Sequence, residues 1–354
     1  MSRSPREADT ADGSDKPLLS VLSGKRLGPP PMWLMRQAGR YLPEYRQLRK
    51  DKGSFLELVY DSDAASDVTL QPLERFAFDA AILFSDILIV PFAIGQNLSF
   101  VAGEGPRLTP PLAAADLDSL TPALTRFEPI YETVRKVKAR LAPNVALIGF
   151  AGSPWTVATY MVAGQGSRDQ SESRRLGYSH PERLDSIIAR IEDVTFNYLA
   201  GQIEAGAEVI QLFDSWAGSL SPAQFDRWVI APTARLVERL KAQFADVPVI
   251  GFPKGAGGKL RAYASETGID LVGLDETVDP AWANKELPDG FPVQGNLDPL
   301  ALLAGGEQMQ AAVRRILDAF ADRPHIFNLG HGILPDTPPA HVQELVAQVK
   351  GTNA

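Results

Sequence analysis

The chain has 354 residues, 45% of them hydrophobic and 22% charged, and its 35 basic against 43 acidic side chains leave a formal net charge of −8. That balance argues against a general nucleic-acid coat, so an anionic ligand would need a local basic site. The absence of cysteine excludes zinc–thiolate centres, iron–sulfur clusters, disulfides and a cysteine nucleophile.

Residues 1–20, MSRSPREADTADGSDKPLLS, are polar and of mixed charge. They lack an apolar signal-peptide core, and their acidic residues fit a transit peptide poorly. They read as a disordered tail on a cytoplasmic protein. A first candidate strand, 32–35 (MWLM), leads into RQAGRYLPEYRQLR, which sets four arginines beside a single glutamate. A second covers 79–84 (DAAILF). The apolar window around it is broken by Asp79, Asp86 and Pro91, so it does not span a membrane. The turn-rich stretch 94–110 is too long for a simple connection and predicts a hairpin or lid. Thr121–Pro122 marks the start of a helix over 121–141.

Further candidate strands follow at 146–150, 208–213, 247–251, 270–274, 292–296 and 325–329. None alternates cleanly, as expected of strands buried on both faces. Between them, 189–207 spaces its apolar residues at three and four, and 221–244 opens on Ser221–Pro222 as a helix start. Strands and helices alternating to a count near eight predict an α/β fold. The expectation is a single (β/α)8 TIM-type barrel over residues 21–354, with extra N-terminal helices and a lid-like hairpin.

In such barrels catalytic groups follow the carboxyl ends of the strands. Those positions hold Arg36-Gln-Ala-Gly-Arg40, Ser85-Asp86, Ala151-Gly-Ser-Pro-Trp, Asp214-Ser215, Pro253-Lys254-Gly255, Asp275-Glu276, Leu297-Asp298 and Gly330-His331-Gly332. Arg36 and Arg40 flank Gly39, where backbone can approach a ligand, and guanidinium suits bidentate carboxylate binding. Arg46 and Arg49 lie near Glu44 and Asp51 and read as surface pairs. Asp86, in an apolar run, either ties down loop amides or faces a substrate, and in both cases it needs a donor or a cation. Tyr160 reads as a core or rim tyrosine and Ser215 as a cap. His331 stands between two glycines that would expose its ring, whereas His180, His325 and His341 read as structural. No nucleotide-binding glycine motif is present.

Taken together, PMWLMRQAGRYLPEYR, GFAGSPWTVATYMVAG, FSDIL, LFDS, FPKGAG, QGNLDP and FNLGHG resemble the uroporphyrinogen decarboxylase family, in its order and spacing over about residues 20 to 350. Two positions depart from the family's habit: Glu276, where tryptophan is common, and Ala163, where glutamate is frequent. The resemblance implies cofactor-independent loss of CO2 from the four acetates of uroporphyrinogen III, giving coproporphyrinogen III. It also implies a homodimer. By position it assigns Arg36, Arg40 and Arg49 to the substrate carboxylates, with Gln37, Ala38 and Gly39 forming the loop between. Asp86 would gather the pyrrole N–H groups, and Tyr160, Ser215 and His331 would contact the macrocycle or its arms. For Arg49 this reverses the surface reading. The proton donor is left open between Arg36 and a water it positions.

Two other readings weigh less. A corrinoid methyltransferase on a related fold would activate a thiol through zinc held by cysteine and histidine, and this chain has no cysteine. A non-catalytic binder of anionic tetrapyrroles would gain nothing from a carboxylate at its centre.

Overall fold

The structure, a computed structural model, describes residues 16–101 and 105–352. Strand β1 (Ala80–Ile82) is followed by an antiparallel hairpin of β2 (Asn97–Val101) and β3 (Gly105–Thr109). Then come β4 (Ala146–Gly152), β5 (Val209–Asp214), β6 (Val249–Pro253), β7 (Leu271–Gly273), β8 (Val293–Gln294) and β9 (His325–Ile326). Seven of these form one parallel sheet in the order β1-β4-β5-β6-β7-β8-β9.

Residues 31–33 close the ring between β9 and β1. Phe327 N donates to Pro31 O (2.9 Å) and Trp33 N to Phe327 O (3.3 Å), while Asp79 N donates to Met32 O (2.9 Å). The expected first strand therefore occupies its place, but as a single parallel bridge from Met32 to Phe327. On its other side a carboxylate replaces the ladder: Met32 N donates to Asp79 Oδ2 at 2.7 Å. With this eighth segment the sheet is the expected (β/α)8 barrel.

The strands are buried on both faces, which is why none alternates. Within the ring, Trp33 Nε1 donates to Gln294 Oε1 (2.8 Å) and Gln294 Nε2 to Gln211 Oε1 (3.2 Å). This polar relay joins three staves across the buried interior and ends at Gln211, whose Nε2 has no protein partner.

Several helix boundaries differ from expectation. Helix α1 (Pro17–Leu22) begins inside the segment expected as tail and runs two residues beyond it, burying Leu18 and Val21 completely. Two apolar side chains one turn apart are enough to dock this piece, and Lys16 Nζ anchors it on Val145 O (2.7 Å). The rest of that tail, 1–15, lies outside the described residues. Helices α2 (Pro43–Asp51), α3 (Phe55–Tyr60) and α4 (Ser62–Arg75) precede β1, and α5 (Ile89–Ile94) follows it. Helix α6 spans Glu128–Arg140, starting later than Thr121–Pro122 suggested. Residues 121–123 instead pack on the end of α5, where Ala123 N donates to Ala93 O (2.7 Å). Helices α7 (Pro154–Ala163), α8 (Ser171–Ser179) and α9 (Pro181–Ala205) complete the first half. The helix expected from Ser221 runs from Pro222 to Gln243 with a wide π turn at Asp226–Ile230. That turn lies just before Pro232, which has no N–H to give a regular helix.

The hairpin expected within 94–110 is present, and its base is fixed. Leu108 N donates to Gly164 O (2.8 Å), and Gln96 Nε2 donates to Pro110 O (2.7 Å) and Met161 O (3.1 Å). It lies beside the end of the helix that follows β4 and packs Phe100 on Phe55, ring centroids 4.7 Å apart.

Candidate active site

The loop after the first stave is held from both sides of Arg36. Met35 N donates to Asn328 Oδ1 (2.9 Å), and Ile333 N donates to Met35 O (2.9 Å). Gln37 is fully buried: its Oε1 accepts from Leu34 N (3.0 Å) and its Nε2 donates to Ala80 O (3.0 Å). The Gln37 side chain therefore belongs to the scaffold, and it is the backbone of Gln37, Ala38 and Gly39 that can meet a ligand. Between these clamps Arg36 adopts φ +62°, a conformation that costs a non-glycine residue about 1–3 kcal/mol and concentrates at functional sites.

Arg36 lies against the neighbouring loop, the one after β9. A Cβ on Gly332 would lie 2.3 Å from Arg36 Cδ, so this glycine leaves the channel through which the guanidinium passes. Gly330 is equally required, since its Cβ would lie 2.2 Å from Glu276 N. The two glycines thus do something other than expose His331. They admit close neighbours, and the ring between them is half-buried with its centroid 6.5 Å from that of Phe252. Burial, then the Lys254 and Arg36 charges, push the His331 imidazole down to about 3, against a weaker pull from Asp275. At neutral pH it is an uncharged ring that donates one N–H.

Asp86 follows β1. Its Oδ1 accepts from Leu88 N (2.8 Å), and the residue is half-buried. Desolvation raises its pKa to about 6, offset in part by the Leu88 amide and the Arg36 guanidinium. Tyr160 on α7 faces the same space. Burial raises its hydroxyl above the ordinary value, the nearby Trp216 lowers it, Asp86 raises it again and Arg36 opposes. Arg36, Asp86, Tyr160 and His331 therefore share one electrostatic neighbourhood. Ser215 borders it, half-buried, between Asp214 and Trp216, whose ring packs on Tyr160 with centroids 6.5 Å apart.

Arg40 and Arg49 sit on the α2 flank, where both charges lower the Tyr45 hydroxyl that burial raises. The surface pairs expected for Arg46 and Arg49 do not form. Glu44 pairs with Arg75 (2.5 Å) and Asp51 accepts from Gln47 (2.9 Å). Arg46 instead donates to Arg40 O (2.8 Å) and Tyr41 O (3.2 Å), and Arg49 to Gly53 O (2.6 Å). Carbonyls freed where the chain turns into and out of a short helix take the guanidinium donors that distant carboxylates cannot reach. Arg40 is left exposed at the rim.

Two of the strand-end aspartates noted in the sequence, Asp214 and Asp275, turn out to support the site from behind. Asp214 is fully buried, and its Oδ1 accepts from Thr156 Oγ1 (2.5 Å), which in turn accepts from Trp216 N (3.1 Å). Desolvation raises this carboxyl to about 7. Asp275 Oδ2 accepts from Gly255 N (2.7 Å) and its Oδ1 from Thr277 N (2.9 Å), tying the loop after β6 to the end of β7. The signal available was position alone, an aspartate at each strand end. The three histidines set aside as structural bond locally: His325 Nε2 to Gly295 O (2.7 Å), His341 Nδ1 to Leu302 O (3.1 Å) and His180 Nδ1 to Ser179 Oγ (2.9 Å).

A family model described as uroporphyrinogen decarboxylase (URO-D) matches residues 14–352. A protein named uroporphyrinogen decarboxylase from Rhizorhabdus wittichii is 66% identical over 336 residues, covering 95% of this chain and 98% of that one. Another of the same name from Novosphingobium aromaticivorans is 62% identical over 95% of this chain and 98% of its own. Among solved structures, a methyltransferase from Methanosarcina mazei aligns with a TM-score of 0.79 over 94% of this chain and 97% of that one. At 18% identity the latter is a likeness of fold alone.

Proposed function

The chain belongs to the uroporphyrinogen decarboxylase family, and from that premise we propose that its barrel mouth takes uroporphyrinogen III and removes CO2 from the four acetate arms to give coproporphyrinogen III. What supports this reading is a desolvated carboxylate, Asp86, just after β1 and within the field of Arg36. A substrate with eight carboxylates needs cations around its rim, and Arg36, Arg40 and Arg49 supply them. A reduced tetrapyrrole also turns its pyrrole N–H groups inward, and these are donors for a central carboxylate.

Decarboxylation of a pyrrole acetate needs an electron sink. A proton added to the adjacent ring carbon makes the pyrrole a cation. The C–CO2 bond then breaks and its electrons neutralise the ring cation, leaving an exocyclic methylene; a second proton adds there to give the methyl group, and loss of the first proton from the ring carbon restores the pyrrole. Asp86, ionised above pH of about 6, stabilises the cation through a charge already in position. Groups preorganised in this way are worth about 10²–10³ in rate. Arg36 orients the reacting carboxylate. His331, neutral, donates to a carbonyl or carboxylate without carrying charge away from the arginines. Tyr160 and Ser215 line the macrocycle's path. The ring itself acts as the sink, so the reaction calls on no cofactor.

The same reading includes a homodimer with facing mouths and a cytoplasmic location. Among the described residues no helix is long and apolar enough to cross a membrane. Sedimentation tests the dimer. Anaerobic incubation with the reduced substrate, followed by separation of products by carboxylate number, tests the reaction. Passage from eight to four carboxylates is expected, and a folded protein that removes none would end the proposal.

A further inference from the structure

We propose that Lys254 is a further substrate-carboxylate receptor, set across the mouth from the arginine loop, and that Glu276 is the counter-ion it leaves when substrate arrives. The inference rests on the decarboxylase reading above and extends it to two residues of this chain.

The first argument is position in the ring. Counting the 31–33 segment as the first stave, β6 is the fifth, and in an eight-membered ring the fifth lies opposite the first. Arg36 and Arg40 follow the first stave, and Lys254 directly follows β6. A macrocycle that carries acidic arms all around its edge presents some of them to the side that the arginine loop cannot reach. Lys254 lies near enough to the same end of the ring for its charge, like that of Arg36, to act on the His331 ring.

The second argument is how the lysine is held. Its backbone is rigid: Lys254 N donates to Asp214 O (3.0 Å), Gly218 N donates to Lys254 O (2.9 Å), and Gly255 N is fixed to Asp275 Oδ2 (2.7 Å). Its ammonium is not. The contact to Glu276 Oε1 is 3.4 Å, beyond the 2.7–2.9 Å of a well-formed charged hydrogen bond, and both side chains keep about a quarter of their surface open. Elsewhere in the fold, lysine pairs that serve structure close to 2.6–2.8 Å, as Lys16 does with Glu208 and Lys138 with the same carboxylate. The other oxygen, Glu276 Oε2, is buried and has no partner. Glu276 is itself seated by the missing side chain of Gly330, one residue from His331. A loosely held ammonium on a fixed backbone, beside a half-satisfied carboxylate, is a cation that a better-placed carboxylate can take over.

The two partners then have opposite effects on substrate affinity, which a purely structural ion pair would not. With the full-length protein and anaerobically reduced uroporphyrinogen, Lys254→Met is expected to raise KM about tenfold with kcat within about threefold, the loss of one charged contact. Lys254→Arg, which keeps the charge, is expected to recover most of that KM. Glu276→Gln, which frees the ammonium, is expected to lower KM about twofold or more and to keep the thermal midpoint near that of the wild type. A wild-type KM in Lys254→Met would overturn the proposal, and so would a rise in KM in both Lys254→Met and Glu276→Gln. If Lys254→Met does not fold, the direction of the Glu276→Gln change decides the matter alone. Wild-type protein that removes no carboxylate defeats the decarboxylase reading instead, so the two failures are distinct.

Discussion

Replacing Asp86 by asparagine separates what this carboxylate does for catalysis from what it does to the fold. Carried from an ordinary 3.8 to about 6, its ionised form is about 3 kcal/mol less favourable in the native protein than in the unfolded chain. Because the folded value is raised, stability is greatest when the group is protonated and falls as pH climbs from about 4 to 6. Activity runs the other way, since the stabilising charge exists only above about 6. The wild type therefore works where Asp86 is a liability to folding. Asparagine is nearly isosteric, and its Oδ1 can still accept from Leu88 N, so the turn after β1 survives. Asp86→Asn is expected to raise the thermal midpoint at pH 7.5 by about 2–4 °C in a chain of this size. It is also expected to abolish the acid limb near pH 6 in kcat/KM and to cut kcat by about 10²–10³. Anaerobic turnover, a pH–rate profile and a thermal melt measure all three. A variant that keeps more than about a tenth of kcat, or that melts several degrees lower, would refute the reasoning.

Gly332→Ala is expected to fold while displacing Arg36, whose Cδ would lie 2.3 Å from the new methyl carbon, so KM rises more than stability falls. Gly330→Ala meets backbone at Glu276 N instead and is expected to destabilise by about 2 kcal/mol or more, read in urea. His331, held near 3, is expected to show no imidazole titration by NMR between pH 5 and 8. Its depressed value means that it weakens the fold only as pH drops below about 6.5, where the unfolded chain takes up the proton first. Asp79→Ala removes the acceptor shared by Met32 N and Lys350 Nζ and is expected to cost about 2–4 kcal/mol in urea with kcat unchanged.

The barrel was legible because its strands lie buried on both faces, leaving short apolar runs of similar length at regular spacing. The first stave was legible as an apolar run, but its single bridge was not, because the partner on one side is the side chain of Asp79. Pro17–Leu22 was lost among polar neighbours, since a single six-residue turn with Leu18, Val21 and Leu22 buried makes too short a pattern. The wide turn at Asp226–Ile230 has no periodic signature, and only Pro232 hints at it. At the site, strand-end position drew attention to Arg36, Asp86 and His331, whereas Tyr160, on α7, and Ser215, read as a cap, took their proposed roles only from the family resemblance. Position could not tell that Gln37 turns inward, because inward and outward glutamines look alike in a loop. Nor could it tell that Arg46 and Arg49 choose carbonyls over nearby acids, a choice made by where helix α2 begins and ends.

Asp79 and Asp86 stand at opposite ends of the same stave and show how partners decide an aspartate's use. Asp79, at the amino end, accepts from Met32 N and Lys350 Nζ, so its charge is spent in closing the ring and pinning the last helix to it. Asp86, at the carboxyl end, has one amide and a guanidinium that must also serve the substrate. A fully partnered carboxylate has nothing left to offer a ligand. One left short of donors is costly in the empty protein and is relieved by whatever brings positive charge or N–H groups, which on the proposed reading are four pyrroles and the cation formed on one of them. The shortfall at Asp86 and the strained backbone of Arg36 are two parts of one arrangement, in which the fold holds opposite charges apart at the mouth until a substrate completes both.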